Sequence, residues 1–217
     1  MHCTRRQFLS ASALSGAALV SGRLFARGDP SPPAPAPAAK VRICVIVAGK
    51  APDRSWSLSE GEVAAILKRL AEVEKKLGNV EFVVGQATTA AETSALLEKA
   101  GPDAPVLAVS SDIFGLSREV MPTVFKAGRP TAVFHQPVLG GHDWCLVNPW
   151  RAEGHRITLF DTSDHNELER AARLLRVIPL LRQSRVLVSP PFKGTPASHT
   201  PDEVKKRLGV EMVATTK

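Results

Sequence analysis

An α/β fold on a mostly parallel sheet follows from two features of the sequence. Val41 to Ala48 is an apolar run, broken at Arg42 and ending at Gly49, the pattern of a parallel strand buried on both faces. Beyond it, strand-like runs alternate with capped helical stretches as far as Ala214, the order that lays helices on both sides of a parallel sheet. Length agrees, since about 180 residues remain after a leader and a proline-rich connector, enough for one buried core. The expectation is a single three-layer domain over residues 41–217, doubly wound in the Rossmann-like or flavodoxin-like manner.

Each element has its own justification. Ser59 with Glu62 forms a capping box, and Val63, Ile66, Leu67, Leu70, Val73 and Leu77 then fall on one helical face before Gly78-Asn79 stops it. Val80 to Val84 reads as the second strand, and Thr89 with Glu92 caps a helix reaching about Ala100. Pro105 to Ser110 is the third strand, Ser117 to Ala127 a helix with Pro122 near its start, and Thr131 to Phe134 the fourth strand. Ile157 to Phe160 is a short strand. Asp164 to Arg182 is a long helix with Leu168, Ala171, Ala172, Leu175 and Ile178 inward, which Pro179 should kink or end. Arg185 to Ser189 supplies a sixth strand; Thr200, Pro201 and Glu203 start a short helix, and Val210 to Ala214 closes the series. The last strand stops just before Lys217, so the domain reads as cut short there.

The N-terminus reads as targeting. Thr4-Arg5-Arg6-Gln7-Phe8-Leu9 matches the twin-arginine pattern, and Ser10 to Gly22 follows as a weakly apolar stretch rich in Ala and Ser. A membrane anchor needs about 20 mostly apolar residues, and this run is broken by Ser12, Ser15, Gly16, Ser21 and Gly22. Residues 1–27 are therefore expected to be a cleaved signal and 28–40 a Pro/Ala-rich spacer of polyproline type. The domain should then act in the periplasm or outside the cell, handed across by the twin-arginine export machinery. No stable membrane anchor is expected. The cleavage point stays open.

Charge points the same way. The formal net charge is +7, but residues 1–40 carry Arg5, Arg6, Arg23, Arg27 and Lys40 against Asp29, a net +4 that leaves +3 for the rest. In the domain Lys68, Arg69, Lys75 and Lys76 interleave with Glu72 and Glu74 as a solvated face. With 5% aromatics and no Tyr, no basic stripe with interleaved rings forms, which argues against a nucleic-acid partner. Cys44 lies in the first apolar run and reads as a small core hydrophobe; pairing with Cys145 is left open by the sequence.

In a doubly wound sheet ligands bind beyond the carboxyl ends of the strands. After the first strand, residues 49–56 have neither the G-x-G-x-x-G nor the G-x-x-x-x-G-K-[ST] spacing, so nucleotide phosphates have no cradle there. Ser110-Ser111-Asp112 can bond a polyol or simply open a helix. The richest stretch is His135-Gln136-Pro137 with Gly140-Gly141-His142-Asp143-Trp144. His135, Gln136, His142, Asp143 and Trp144 combine imidazoles, a carboxamide, a carboxylate and an indole, groups that bind sugar hydroxyls and rings or a subunit. Their spacing matches no recognised metal motif. His155, His165 and His199 are scattered at loop or helix-start positions, and Asp161 and Asp164 suit helix initiation. No catalytic residue can be assigned.

Thr131 to Pro137 with Gly141-His142-Asp143-Trp144, then Thr162-Ser163-Asp164, then Leu168 to Arg173 and Leu181 to Leu187 resemble the N-terminal region of the L-fucose and L-arabinose isomerase-like family, in exported versions with a twin-arginine leader. The resemblance spans residues 41–217, with Pro179 departing from the uninterrupted helix expected. It implies a sugar-isomerase ancestry and, in a complete family member, a divalent metal, usually Mn2+, whose carboxylate and histidine ligands come mainly from later domains. None of those ligands can be matched here. The expectation is a leading domain without the catalytic half, giving contacts to a sugar or polyol or to another subunit of a homo-oligomer. The alternative is a stand-alone periplasmic sugar-binding module; a free-standing metalloenzyme ranks last.

Overall fold

The computed structural model describes residues 40–48, 58–111, 116–137, 144–188 and 200–214. Five strands form one parallel sheet: β1 (Val41–Ala48), β2 (Val80–Ala87), β3 (Val106–Ser110), β4 (Thr131–His135) and β5 (Ile157–Asp161). Their order is β2-β1-β3-β4-β5, the flavodoxin-like arrangement in which the chain reverses direction across the sheet between β1 and β3. All described residues fall within one compact unit, Ala39–Lys217.

Alternation along the strands divides the core into two layers. Ile43, Val45 and Val47 of β1, with Leu107, Val109 and Phe134, pack on helices α1 (Glu60–Leu77) and α5 (Glu167–Gln183). Cys44 and Ile46, with Val106, Ala108 and Val133, pack on the other face, which carries α2 (Ala90–Ala100), α3 (Met121–Lys126) and α4 (Trp144–Ala152). Cys44 is a free, fully buried thiol, and burial pushes its pKa up to about 11, so it behaves as a small core hydrophobe. Across the first layer Glu169 of α5 accepts from Lys76 at 2.9 Å and Arg69 at 3.4 Å, tying α5 to α1.

Capping decides where the helices start. Ser59 accepts from the Glu62 amide while the Glu62 carboxylate accepts from the Ser59 amide, and Thr89 and Glu92 repeat the arrangement on α2. Gly78 ends α1 at φ 69°, a left-handed conformation that glycine adopts without penalty.

Several expectations need correction. Leu67, expected inward, is 37% exposed, because the buried stripe of α1 narrows to Ile66, Leu70 and Val73. The helix expected from Ser117 begins as a turn of π-helix, Leu116–Val120, before α3 takes over. Helix α4 was not foreseen; Pro149 within it masks its periodicity. Pro179 neither ends nor splits α5, which runs to Gln183 with the proline ring buried.

The main correction concerns β6 (Arg185–Val188) and β7 (Glu211–Ala214). They do not extend the five-stranded sheet but pair with each other, in parallel, as a separate sheet. Helix α6 (Pro201–Leu208), capped by Thr200, joins them into a βαβ unit. Leu187 is 71% exposed, so the apolar pattern that identifies these strands does not here coincide with burial. Among the described residues no helix is long and apolar enough to cross a membrane.

Candidate functional site

Adjacent parallel strands end side by side, and this brings the site together. His135 and Asp161 are the last paired residues of β4 and β5, so their side chains project from the same face. The His135 ring is 1% exposed, with Nδ1 2.9 Å from Asp161 Oδ1 and Nε2 3.1 Å from the Ser111 carbonyl oxygen. A carbonyl and an ionised carboxylate both only accept, so each ring nitrogen faces an acceptor. The strand ends are laced together below this pair: the Gln136 amide donates to the Ser110 carbonyl at 2.9 Å, and the Thr162 amide to the His135 carbonyl at 3.0 Å.

One residue further on, Gln136 reaches sideways. Its Nε2 donates to Glu62 Oε1 at 2.8 Å, and its Oε1 lies 3.2 Å from His165 Nε2. Glu62 is the capping residue of α1, and His165 precedes α5, so a single carboxamide links two helix entrances to the end of β4. Hydrogen bonds from the Ser59 amide and hydroxyl, aided by the His165 imidazole nearby, hold the Glu62 carboxyl below the usual range. Phe134 tilts against the His165 ring at 6.1 Å. Among the described residues, the hydrogen bonds of this cluster join carboxylates, a carboxamide, imidazoles and a serine, with no Lys or Arg. Such a surface offers hydrogen-bond acceptors and suits a ligand rich in hydroxyl donors.

Of the five residues singled out from the sequence, His135 and Gln136 lie at the end of β4 with different partners, His135 bonded to Asp161 and Ser111 and Gln136 to Glu62 and His165. His142 and Asp143 lie outside the described residues, and Trp144 opens α4. Glu62, Asp161 and His165 prove to be the partners of His135 and Gln136, although each reads from the sequence as a plain helix-start residue. Strand pairing is the signal that locates Asp161. His165 and Glu62 become visible only once both helices are placed over the end of β4.

A divalent ion is what the resemblance implies for a complete isomerase. Among the described residues no three His, Cys, Asp or Glu groups gather to hold one, and both nitrogens of His135 already face protein oxygens. An open groove of about 530 Å³ lies at the opposite, amino-terminal edge of the sheet, between α2 and α3, lined by Ser94, Glu98, Thr123, Lys126 and Arg129 among others. Ligands of doubly wound sheets bind at the carboxyl edge, so the cluster rather than the groove is the candidate site.

The fold and the site define a flavodoxin-like α/β domain with a polar cluster at the carboxyl ends of β4 and β5. No protein-family model matches the chain, and no curated protein matches it either.

Proposed function

We propose that this chain is an exported sugar-isomerase-like domain that holds a neutral sugar or polyol at the carboxyl ends of β4 and β5 and contributes ligand or subunit contacts rather than the chemical step. The observation that carries this reading is the Glu62–Gln136–His165 chain of hydrogen bonds, an acceptor-rich arrangement at the edge where doubly wound sheets bind ligands. The resemblance to the L-fucose and L-arabinose isomerase-like family supplies the substrate class. The twin-arginine pattern at Arg5-Arg6 supplies the location, the periplasm or the exterior.

In this reading His135 acts from below. Its bonds to Asp161 and Ser111 fix the strand ends, and His165, held by Gln136, meets the ligand. Calorimetric titration of the purified chain with L-fucose, L-arabinose and ribitol should give saturable binding, weakened at least tenfold by Gln136→Ala, with no conversion of aldose to ketose. Absence of binding by any of the three sinks the binding role, and turnover by the chain alone sinks the non-catalytic one. A stand-alone binding module gives the same saturable binding but requires a second lobe or a dimer to close over the ligand; it is favoured if the sugar drives the purified chain from monomer to dimer.

A further inference from the structure

The hydrogen-bond chain at the site has a direction, which follows from what each atom can donate. Glu62 Oε2 accepts from the Ser59 amide at 2.7 Å and from the Ser59 hydroxyl at 2.8 Å, leaving Oε1 for Gln136. An ionised carboxylate only accepts, so the Gln136 NH2 must face it and the carboxamide oxygen must face the other way. That oxygen also only accepts, so His165 Nε2 carries a proton. In the neutral imidazole the lone pair is then on Nδ1, which takes no hydrogen bond or ion pair among the described residues. The ring is partly exposed, at the head of α5. His135 is the opposite case, buried and with both nitrogens facing protein oxygens.

We propose that His165 is the ligand-facing acceptor of the site, its Nδ1 taking a hydrogen bond from a ligand hydroxyl, and that Glu62 sets this orientation through Gln136. Glu62 and Gln136 are thus positioning residues. The role rests on the polyol-binding reading above, whereas the orientation is a property of the unliganded chain. The capping carboxylate of α1 accordingly has two tasks, one on each oxygen: Oε2 starts the helix and Oε1 aims an imidazole two elements away.

Long-range proton–nitrogen NMR of the full chain tests it at about pH 8, above the ordinary histidine pKa of about 6.5. The six histidines are separated by a His165→Asn control that identifies the His165 signals. In the unmutated chain His165 should show an imine-type Nδ1 and a protonated Nε2. Glu62→Gln should reverse this: the new side chain still accepts from Ser59 with its oxygen and presents NH2 to Gln136. Gln136 then flips and offers NH2 to His165, and the His165 proton moves to Nδ1. Gln136→Leu, which leaves the Glu62 cap intact, should give a mixture of tautomers and decides the matter if Glu62→Gln does not fold. Adding L-fucose to the unmutated chain should shift the Nδ1 resonance.

A Nδ1-protonated His165 in the unmutated chain, or a tautomer unmoved by both substitutions, overturns the orientation whether or not L-fucose binds. The expected tautomers in a chain that binds no polyol overturn the binding role alone. Loss of helix capping without any effect on Gln136 would move stability but not the tautomer, so the two readouts separate the roles of Glu62.

Discussion

Strands β3 and β6 are both short, apolar and parallel to their neighbours, yet every residue of β3 is buried while Arg185, Val186 and Leu187 of β6 are exposed. The difference is in the neighbours. β3 is bonded on one side to β1 and on the other to β4, with helices over both faces. Among the described residues β6 pairs with β7, and α6 joins the two with its own residues all short of full burial. A parallel strand is stabilised by what flanks and covers it, and an apolar run identifies a strand without saying which sheet it joins.

Substitution should separate the two regions. Phe134→Ala empties the largest fully buried position among the described residues, on β4, and should cost about 3–5 kcal/mol in denaturant unfolding. A loss under about 1 kcal/mol would mean that this core is not packed as described.

Acid should act next, through the helix entrances and the α1–α5 contact. Backbone and side-chain bonds from Ser59 lower the Glu62 pKa, bonds from Thr88 and Thr89 lower that of Glu92, and bonds from Lys76 and Arg173 lower that of Glu169. A carboxyl whose folded pKa is depressed contributes stability that is present above the unfolded value, about 4.3 for Glu, and is lost as pH falls through the folded value. Unfolding free energy should therefore be level from neutral pH to about 5 and decline below the unfolded value. A decline beginning near neutrality would point to other groups.

Smaller effects complete the series. Thr89→Ala removes the cap of α2 and should cost about 1 kcal/mol. Leu187→Ser, on the exposed β6 strand, should change stability by less than about 0.5 kcal/mol. In hydrogen exchange the amides of Leu107 and Val109 should be among the slowest and those of Leu187 and Val213 among the fastest of the strand residues. Equal protection in both would show that β6 and β7 are covered in solution.

The same contrast explains what was legible in the sequence. Both capping boxes, the buried run of β1 and the alternation of strands and helices rest on local rules, and they led to the doubly wound fold. Helix α4 was hidden by Pro149, and the continuation of α5 past Pro179 depends on packing that buries that ring. The separate β6–β7 sheet could not be read, because pairing is a long-range choice. The site divides likewise. His135 and Gln136 stand out as polar residues directly after an apolar strand. Asp161 joins them only through the β4–β5 register, and Glu62 and His165 only through the placement of two helices.

The most direct test maps polyol binding onto the amide spectrum of the chain, titrated with L-fucose. Shifts should concentrate at Gln136, Thr162 and His165, at the carboxyl ends of β4 and β5, leaving Glu98 and Thr123 in the amino-edge groove and the β6–β7 pair unmoved. Shifts confined to that groove or to β6 and β7, with Gln136 and His165 unchanged, would contradict the placement of the site at the strand ends.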